Sequence, residues 1–160
     1  MSGYGMSVND TTIWWQVYPL GFTGAPIRPS NEGERALTPR FDAIIPWLDY
    51  LIDMGANGLL LGPVFASETH GYDTVDYYRI DSRLGDDAAF DRLIDACRSR
   101  GIRVMLDGVF NHVGRSFPAF RDALAGHGHE SMFHITRNAG GGVDYRLSLI
   151  HISEPTRLRC

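Results

Sequence analysis

The stretch Gly101-Ile102-Arg103-Val104-Met105-Leu106-Asp107-Gly108-Val109-Phe110-Asn111-His112-Val113-Gly114 decides the fold. Ile102 to Leu106 is apolar except for Arg103, the pattern of a parallel strand covered on both faces. The run ends on an acid, Asp107, and turns into a loop carrying Asn111 and His112. Asp-x-x-x-Asn-His is a weak signal by spacing alone. Its surroundings make it strong.

The first of these is an internal repeat. Gly58-Leu59-Leu60-Leu61-Gly62-Pro63-Val64-Phe65 aligns with Arg103-Val104-Met105-Leu106-Asp107-Gly108-Val109-Phe110 at an offset of 45 residues. Each copy follows a helix-like segment and a glycine that ends it, Gly55 or Gly101. In the first segment Ile44, Ile45, Leu48, Leu51 and Ile52 recur at helical spacing, with Pro46 tolerable only in the first turn. In the second, Phe90, Leu93, Ile94 and Cys97 follow a plausible cap at Asp86 or Asp87. A third apolar run, Ile13 to Tyr18, comes first and is closed by Pro19. The order strand, helix, strand, helix, strand predicts an α/β fold with a parallel sheet, because adjacent parallel strands need helical crossovers.

Composition agrees with an enzyme-like chain: 44% of residues are hydrophobic, and no apolar stretch approaches the roughly 18 residues of a membrane span. Met1 to Asn9 has neither a basic start nor an apolar core, so no signal peptide is expected and the default location is cytoplasmic. All 15 basic residues are Arg, which points to GC-rich coding DNA before it points to function. Cys97 reads as a core thiol on the apolar face of its helix.

The segment Leu147 to Arg157, LSLIHISEPTR, back-translates codon for codon to a transposase adapter used in sequencing libraries. It is expected to be a non-native tail, with Leu158, Arg159 and Cys160 as further adapter, and to take no part in the fold. Without Glu154, Arg157 and Arg159 the formal net charge moves from −4 to −5. That argues against nucleic-acid and anionic-membrane partners, which favour basic faces. A closed (β/α)8 TIM barrel needs about 250 residues, so the expectation is its first three strands, truncated. Polar groups just past the C-terminal ends of such strands are where barrel enzymes place their sites.

Four linked motifs carry a family resemblance. Trp15-Gln16-Val17-Tyr18-Pro19 resembles the first barrel strand of the α-amylase family of glycoside hydrolases. Leu48-Asp49-Tyr50-Leu51 through Gly55-Ala56-Asn57 and Gly62-Pro63-Val64 resembles that family's first helix and second strand. His70-Gly71-Tyr72-Asp73-Thr74-Val75-Asp76-Tyr77-Tyr78, then Ile80-Asp81 and Leu84-Gly85, is similar to its long loop after strand two. Asp107-Gly108-Val109-Phe110-Asn111-His112 matches its signature motif at the end of strand three.

The resemblance implies roles position by position. His112 donates a hydrogen bond to the sugar at the cleavage subsite, and Tyr72 stacks on that sugar. Asp107 holds the site's arginine, which belongs to a fourth strand. Asn111 matches a position that binds calcium in many members, so calcium is a possible cofactor. His70 reaches the same pocket or serves the loop surface. The implied reaction is retaining hydrolysis or transfer at an α-glucosidic bond, with α-glucan or malto-oligosaccharide as substrate. The nucleophile, the acid/base and the stabilising acid belong to strands four, five and seven, so no catalytic residue is assigned here and the chain itself is expected to be inactive. Alternatives are a non-catalytic binding or partner scaffold, a transglycosylase or isomerase of the family such as a trehalose-forming type, and an unrelated barrel enzyme. Thr69 and His70 stand where exo-acting α-glucosidases often carry an Asp, which weakens that specificity.

Three segments are expected: residues 1–115 as the first three β/α units, 116–146 as the start of an insertion after strand three, and 147–160 as the tail. His127, His129 and His134 read as an exposed loop, not a metal site, and Gly140-Gly141-Gly142 as a run that follows no strand. Trp14, Trp15 and Trp47 read as core and helix packing. Oligomeric state is not legible.

Overall fold

A computed structural model describes residues 12–137 and 142–146. The N-terminal segment read for a signal peptide and the adapter-like tail lie outside the described residues. Three strands form a parallel sheet in the order β1 (Trp14–Val17), β2 (Gly58–Leu61), β5 (Arg103–Leu106). The 45-residue repeat is the register of β2 on β5: Gly58 pairs with Arg103 and Leu61 with Leu106. Positions equivalent in sequence are therefore neighbours in the sheet.

Pro19 ends β1 because it has no N–H for the ladder, and it opens the one-turn helix α1 (Pro19–Phe22). The first crossover differs from expectation. The run from Ile44 is not one helix: two 3-10 turns, Arg40–Ala43 and Ile45–Trp47, precede α2 (Leu48–Asp53). Pro46, in the first turn of the second, cannot donate the hydrogen bond a continuous α-helix would need there. In the second crossover, α3 (Asp87–Ser99) is capped by Asp86, whose carboxylate accepts from Ala89 N at 2.8 Å.

Side chains alternate across the parallel strands. Val17, Leu59 and Leu61 point to the helices and are buried, with Val104 and Leu106 packed against them. Leu48, Leu51, Leu93 and Cys97 meet them from α2 and α3. Cys97 is a core thiol, as expected. On the other face Trp14 lies over Gly58, where a Cβ would stand 2.5 Å from the indole, so only glycine fits. Arg103 on this face donates to Thr12 Oγ1 at 2.7 Å. Trp47 packs on the helices, edge to face with Phe22 of α1 and Tyr50 of α2, but is 46% exposed and outside the core, because Ile44, Leu48 and Leu51 take the inward positions.

Between β2 and α3 the chain forms an antiparallel hairpin, β3 (Phe65–Ser67) with β4 (Thr74–Ile80), bulged at Ala66. After β5 come α4 (Pro118–Ala125), a 3-10 turn Glu130–Met132, and a second hairpin, β6 (His134–Arg137) with β7 (Val143–Arg146). Gly140 and Gly141 of the glycine run lie outside the described residues, and His134 is on β6, not in a loop. Phe120 is fully buried and meets Phe133 at 5.1 Å. Among the described residues no helix is long and apolar enough to cross a membrane.

Candidate functional site

The residues of interest gather where the parallel strands end. The ladder runs one residue past each strand, with Gly62 N donating to Val17 O at 2.8 Å and Asp107 N to Leu61 O at 2.9 Å. Asp107 is thereby fixed at the rim of the sheet. Over this rim folds the tip of the β3–β4 hairpin. Thr69 donates through Oγ1 to Asp73 Oδ2 at 2.5 Å and through its backbone N to Oδ1 at 3.1 Å, closing a tight loop around Gly71. Gly71 has φ of +92°, and a Cβ there would sit 3.2 Å from the Pro63 ring. Glycine lets the tip lie down on the end of β2.

The tip presents His70 and Tyr72. Tyr72 N donates to His70 Nδ1 at 3.3 Å, and the His70 carbonyl accepts from the Tyr18 hydroxyl at 2.8 Å. The Tyr72 and Tyr18 rings stack nearly parallel, 6.5 Å apart at 25°. The Tyr72 hydroxyl lies close enough to the Asp107 carboxylate to feel its charge. Its ionisation is pushed up, first by burial and then by the charge of Asp107. The Tyr18 hydroxyl is pushed up as well, by burial first, partly offset by the charge of Arg83.

Tyr72 and Asp107, 35 positions apart in the chain, thus meet at one point. His70 joins them through Tyr72. The resemblance gives Asp107 an arginine partner from a fourth strand; in this structure the Tyr72 hydroxyl is near enough for the charge of Asp107 to act on it. Asn111 and His112 reach this end by chain adjacency to Asp107, both half-buried. Their loop is held from behind by Tyr77, whose hydroxyl donates to the carbonyl of Val109 and lies 3.4 Å from that of His112. Tyr77 also contacts Phe65, Phe110 and Phe117, and burial pushes its hydroxyl pKa up.

Four supporting residues have no site role in the sequence analysis, although Tyr18, Tyr77 and Asp81 stand within its motifs; the fourth is Arg83. Arg83 is wholly buried. Its Nε and Nη2 donate to the two oxygens of Asp81 at 2.8 and 2.6 Å, and Nη2 also to Ser67 Oγ at 2.7 Å. Its Nη1 donates to the carbonyls of Thr69 at 2.6 Å and Pro26 at 2.7 Å. The signals were faint. Arg83 stands as a charged residue within Ile80–Leu84, and Tyr18 is simply the strand-end residue before Pro19.

An aromatic face beside a fixed carboxylate suits a sugar, whose CH face stacks while its hydroxyls bond at the rim. For calcium, Asn111 offers one amide oxygen. Among the described residues no group of three or more His, Cys, Asp or Glu converges on a metal, and calcium takes about 6–8 oxygens. The residues present therefore do not complete a calcium site, and no chemical step is derived through one.

Residues 16–142 match the family described as alpha amylase, catalytic domain. The chain belongs to the α-amylase family. Within this family it is 40% identical over 139 residues to a cyclomaltodextrinase of Geobacillus thermopakistaniensis, covering 78% of this chain and 24% of that protein. It is 36% identical over 126 residues to an intracellular maltogenic amylase of Bacillus subtilis, covering 71% and 21%. Among solved structures it is similar to the cyclic α-maltosyl-(1→6)-maltose hydrolase of Arthrobacter globiformis in complex with its named cyclic sugar. That match has a TM-score of 0.66 and 29% identity, over 84% of this chain and 34% of the other. The chain thus spans about a quarter of the length of the curated relatives it matches. Its fold is that of the N-terminal part of the family's TIM barrel.

Proposed function

We propose that this chain is the first part of the catalytic barrel of a retaining, α-glucan-active enzyme, and that it carries sugar-binding residues but not the reacting carboxylates. The observation that supports the reading best is the Tyr72 ring, stacked on Tyr18 and brought near the Asp107 that ends the third parallel strand. In this reading Tyr72 stacks on the sugar at the cleaved bond, His112 donates to one of its hydroxyls, and His70 steadies the tip. Asp107 orients its neighbours and is not the nucleophile. A retaining mechanism needs two carboxylates about 5–5.5 Å apart, one attacking the anomeric carbon and one protonating the leaving oxygen. Both are assigned to later strands, so the 160-residue chain is inactive. Cyclic maltodextrins and malto-oligosaccharides are the proposed substrates, by analogy with the relatives' names. A calcium contribution from Asn111, shared with ligands from later strands, and a cytoplasmic location belong to the same proposal. So does the division at residues 115 and 146, and the tail reading, which the end of the family match at residue 142 supports.

The test begins with the source DNA downstream of the Arg146 codon, read with the adapter trimmed. An Arg-x-Asp at a strand end within about 100 residues, followed later by a strand-end Glu, is expected for a (β/α)8 enzyme of this kind. The full-length product should then open a cyclic maltodextrin, and Tyr72→Ala should cut its kcat/KM. The pure 160-residue chain should not turn over a chromogenic maltoside. A barrel that continues with those carboxylates replaced would favour the binding-scaffold alternative instead.

A further inference from the structure

All five N–H groups of Arg83 are accepted in a wholly buried setting, and its Nη1 bonds go to backbone carbonyls in separate segments, Pro26 with a longer one to Ile27 on one side and Thr69 on the other. An apolar side chain of equal volume would fill this space without holding either carbonyl. Thr69 is the first residue of the closed tip, and the same residue grips Asp73. Asp81 is pinned in turn by Ser67, whose N and Oγ donate to Asp81 Oδ2 at 3.2 and 3.0 Å. A rigid fork therefore ties the base of the hairpin to the backbone of its tip.

We propose that Arg83 is a positioning residue for the sugar site: it sets where Tyr72 and His70 stand over Asp107 by holding the Thr69 carbonyl, and it touches no substrate. This rests on the reading of Tyr72 as the sugar-stacking residue. The chemistry is directional. A lysine keeps the charge but offers a point donor, not a planar fork, so it cannot serve Asp81 and both carbonyls with the same geometry. A misplacement of about 1 Å at a site can cost up to about a hundredfold in rate.

The experiment is a double-mutant cycle in the full-length enzyme on a short malto-oligosaccharide, with Arg83→Lys, Tyr72→Ala and the pair, reading kcat/KM beside thermal stability. The expected result is a loss of about tenfold or more for Arg83→Lys alone, shrinking to less than about twofold once Tyr72 is already Ala. If Arg83→Lys fails to fold, Asp81→Asn with Arg83→Met replaces it in the same cycle, since that pair strands no buried charge. An equal loss in both backgrounds, or no loss in either, overturns the positioning role, because a purely structural arginine would not couple to Tyr72. An unchanged kcat/KM for Tyr72→Ala alone overturns the sugar-stacking reading itself, and the Arg83 proposal with it.

Discussion

Two neighbouring regions of this chain are held together by opposite means. The helix-covered face of the parallel sheet is Leu59, Leu61, Leu48, Leu51 and Leu93 packed to full burial, with scarcely a polar atom between them. The ground beneath the hairpin tip is a buried ion pair, Arg83 with Asp81, wired to Ser67, Thr69 and Pro26. Apolar packing is non-directional and tolerates repacking. A hydrogen-bonded ion pair specifies geometry at each end, and it destabilises strongly when only one partner is lost. The sheet supplies a platform. The polar hub places the residues that stand on it.

The contrast can be broken at the polar hub. Arg83→Met leaves the Asp81 carboxylate buried without its partner, and the expected loss is about 4 kcal/mol, read as a fall in the urea midpoint. Adding Asp81→Asn to that change should recover most of it, since no buried charge then remains. In the apolar region, Leu61→Ala is expected to cost about 3 kcal/mol on the same measurement, with no single partner change able to rescue it. If both regions responded alike to paired replacement, the distinction between them would fail.

Two smaller effects sharpen the picture. Removing the α3 cap with Asp86→Ala should cost about 1 kcal/mol and be visible as faster amide exchange at Ala89. The other is a pH dependence. Burial in the apolar layer pushes the Cys97 thiol up to about 11 from 9.0. Below pH 9 folded and unfolded chains both hold the proton. Between pH 9 and about 11 the unfolded chain releases it first, so stability falls as pH rises. Cys97→Ala should flatten that slope, and the wild-type thiol should resist alkylation at pH 8 while the chain is folded. Tyr18, Tyr72 and Tyr77 act with the same sign above pH 10 in both proteins.

The parts legible in sequence were those governed by periodicity. The apolar runs at Ile13, Gly58 and Ile102, and the 45-residue offset between the last two, translate directly into three parallel strands and a register. Asp86 as a cap and Cys97 as a core thiol follow from local rules of the same kind. Legibility failed where a side chain's partner is distant or the backbone departs from one period. Pro46 split a helix whose apolar spacing looked continuous. Trp47, expected in core and helix packing, packs on the helices but lies half outside the core, because three aliphatic neighbours take the inward face. The hairpin β3–β4 lies in what the resemblance gave only as a long loop after strand two.

The same division runs through the site. The sequence by itself determined which residue types stand at the strand ends, Asp107, Asn111 and His112, because a strand of fixed length carries its next residues to the rim. Only the tertiary structure decided that Tyr72 meets Asp107, that Tyr18 stacks beneath it, and that Arg83 holds the tip they share. The reason is physical. Burial follows from the pattern of neighbours along a strand or helix, whereas a hydrogen bond between residues tens of positions apart exists only once the packed chain has brought its two ends within 3 Å or so.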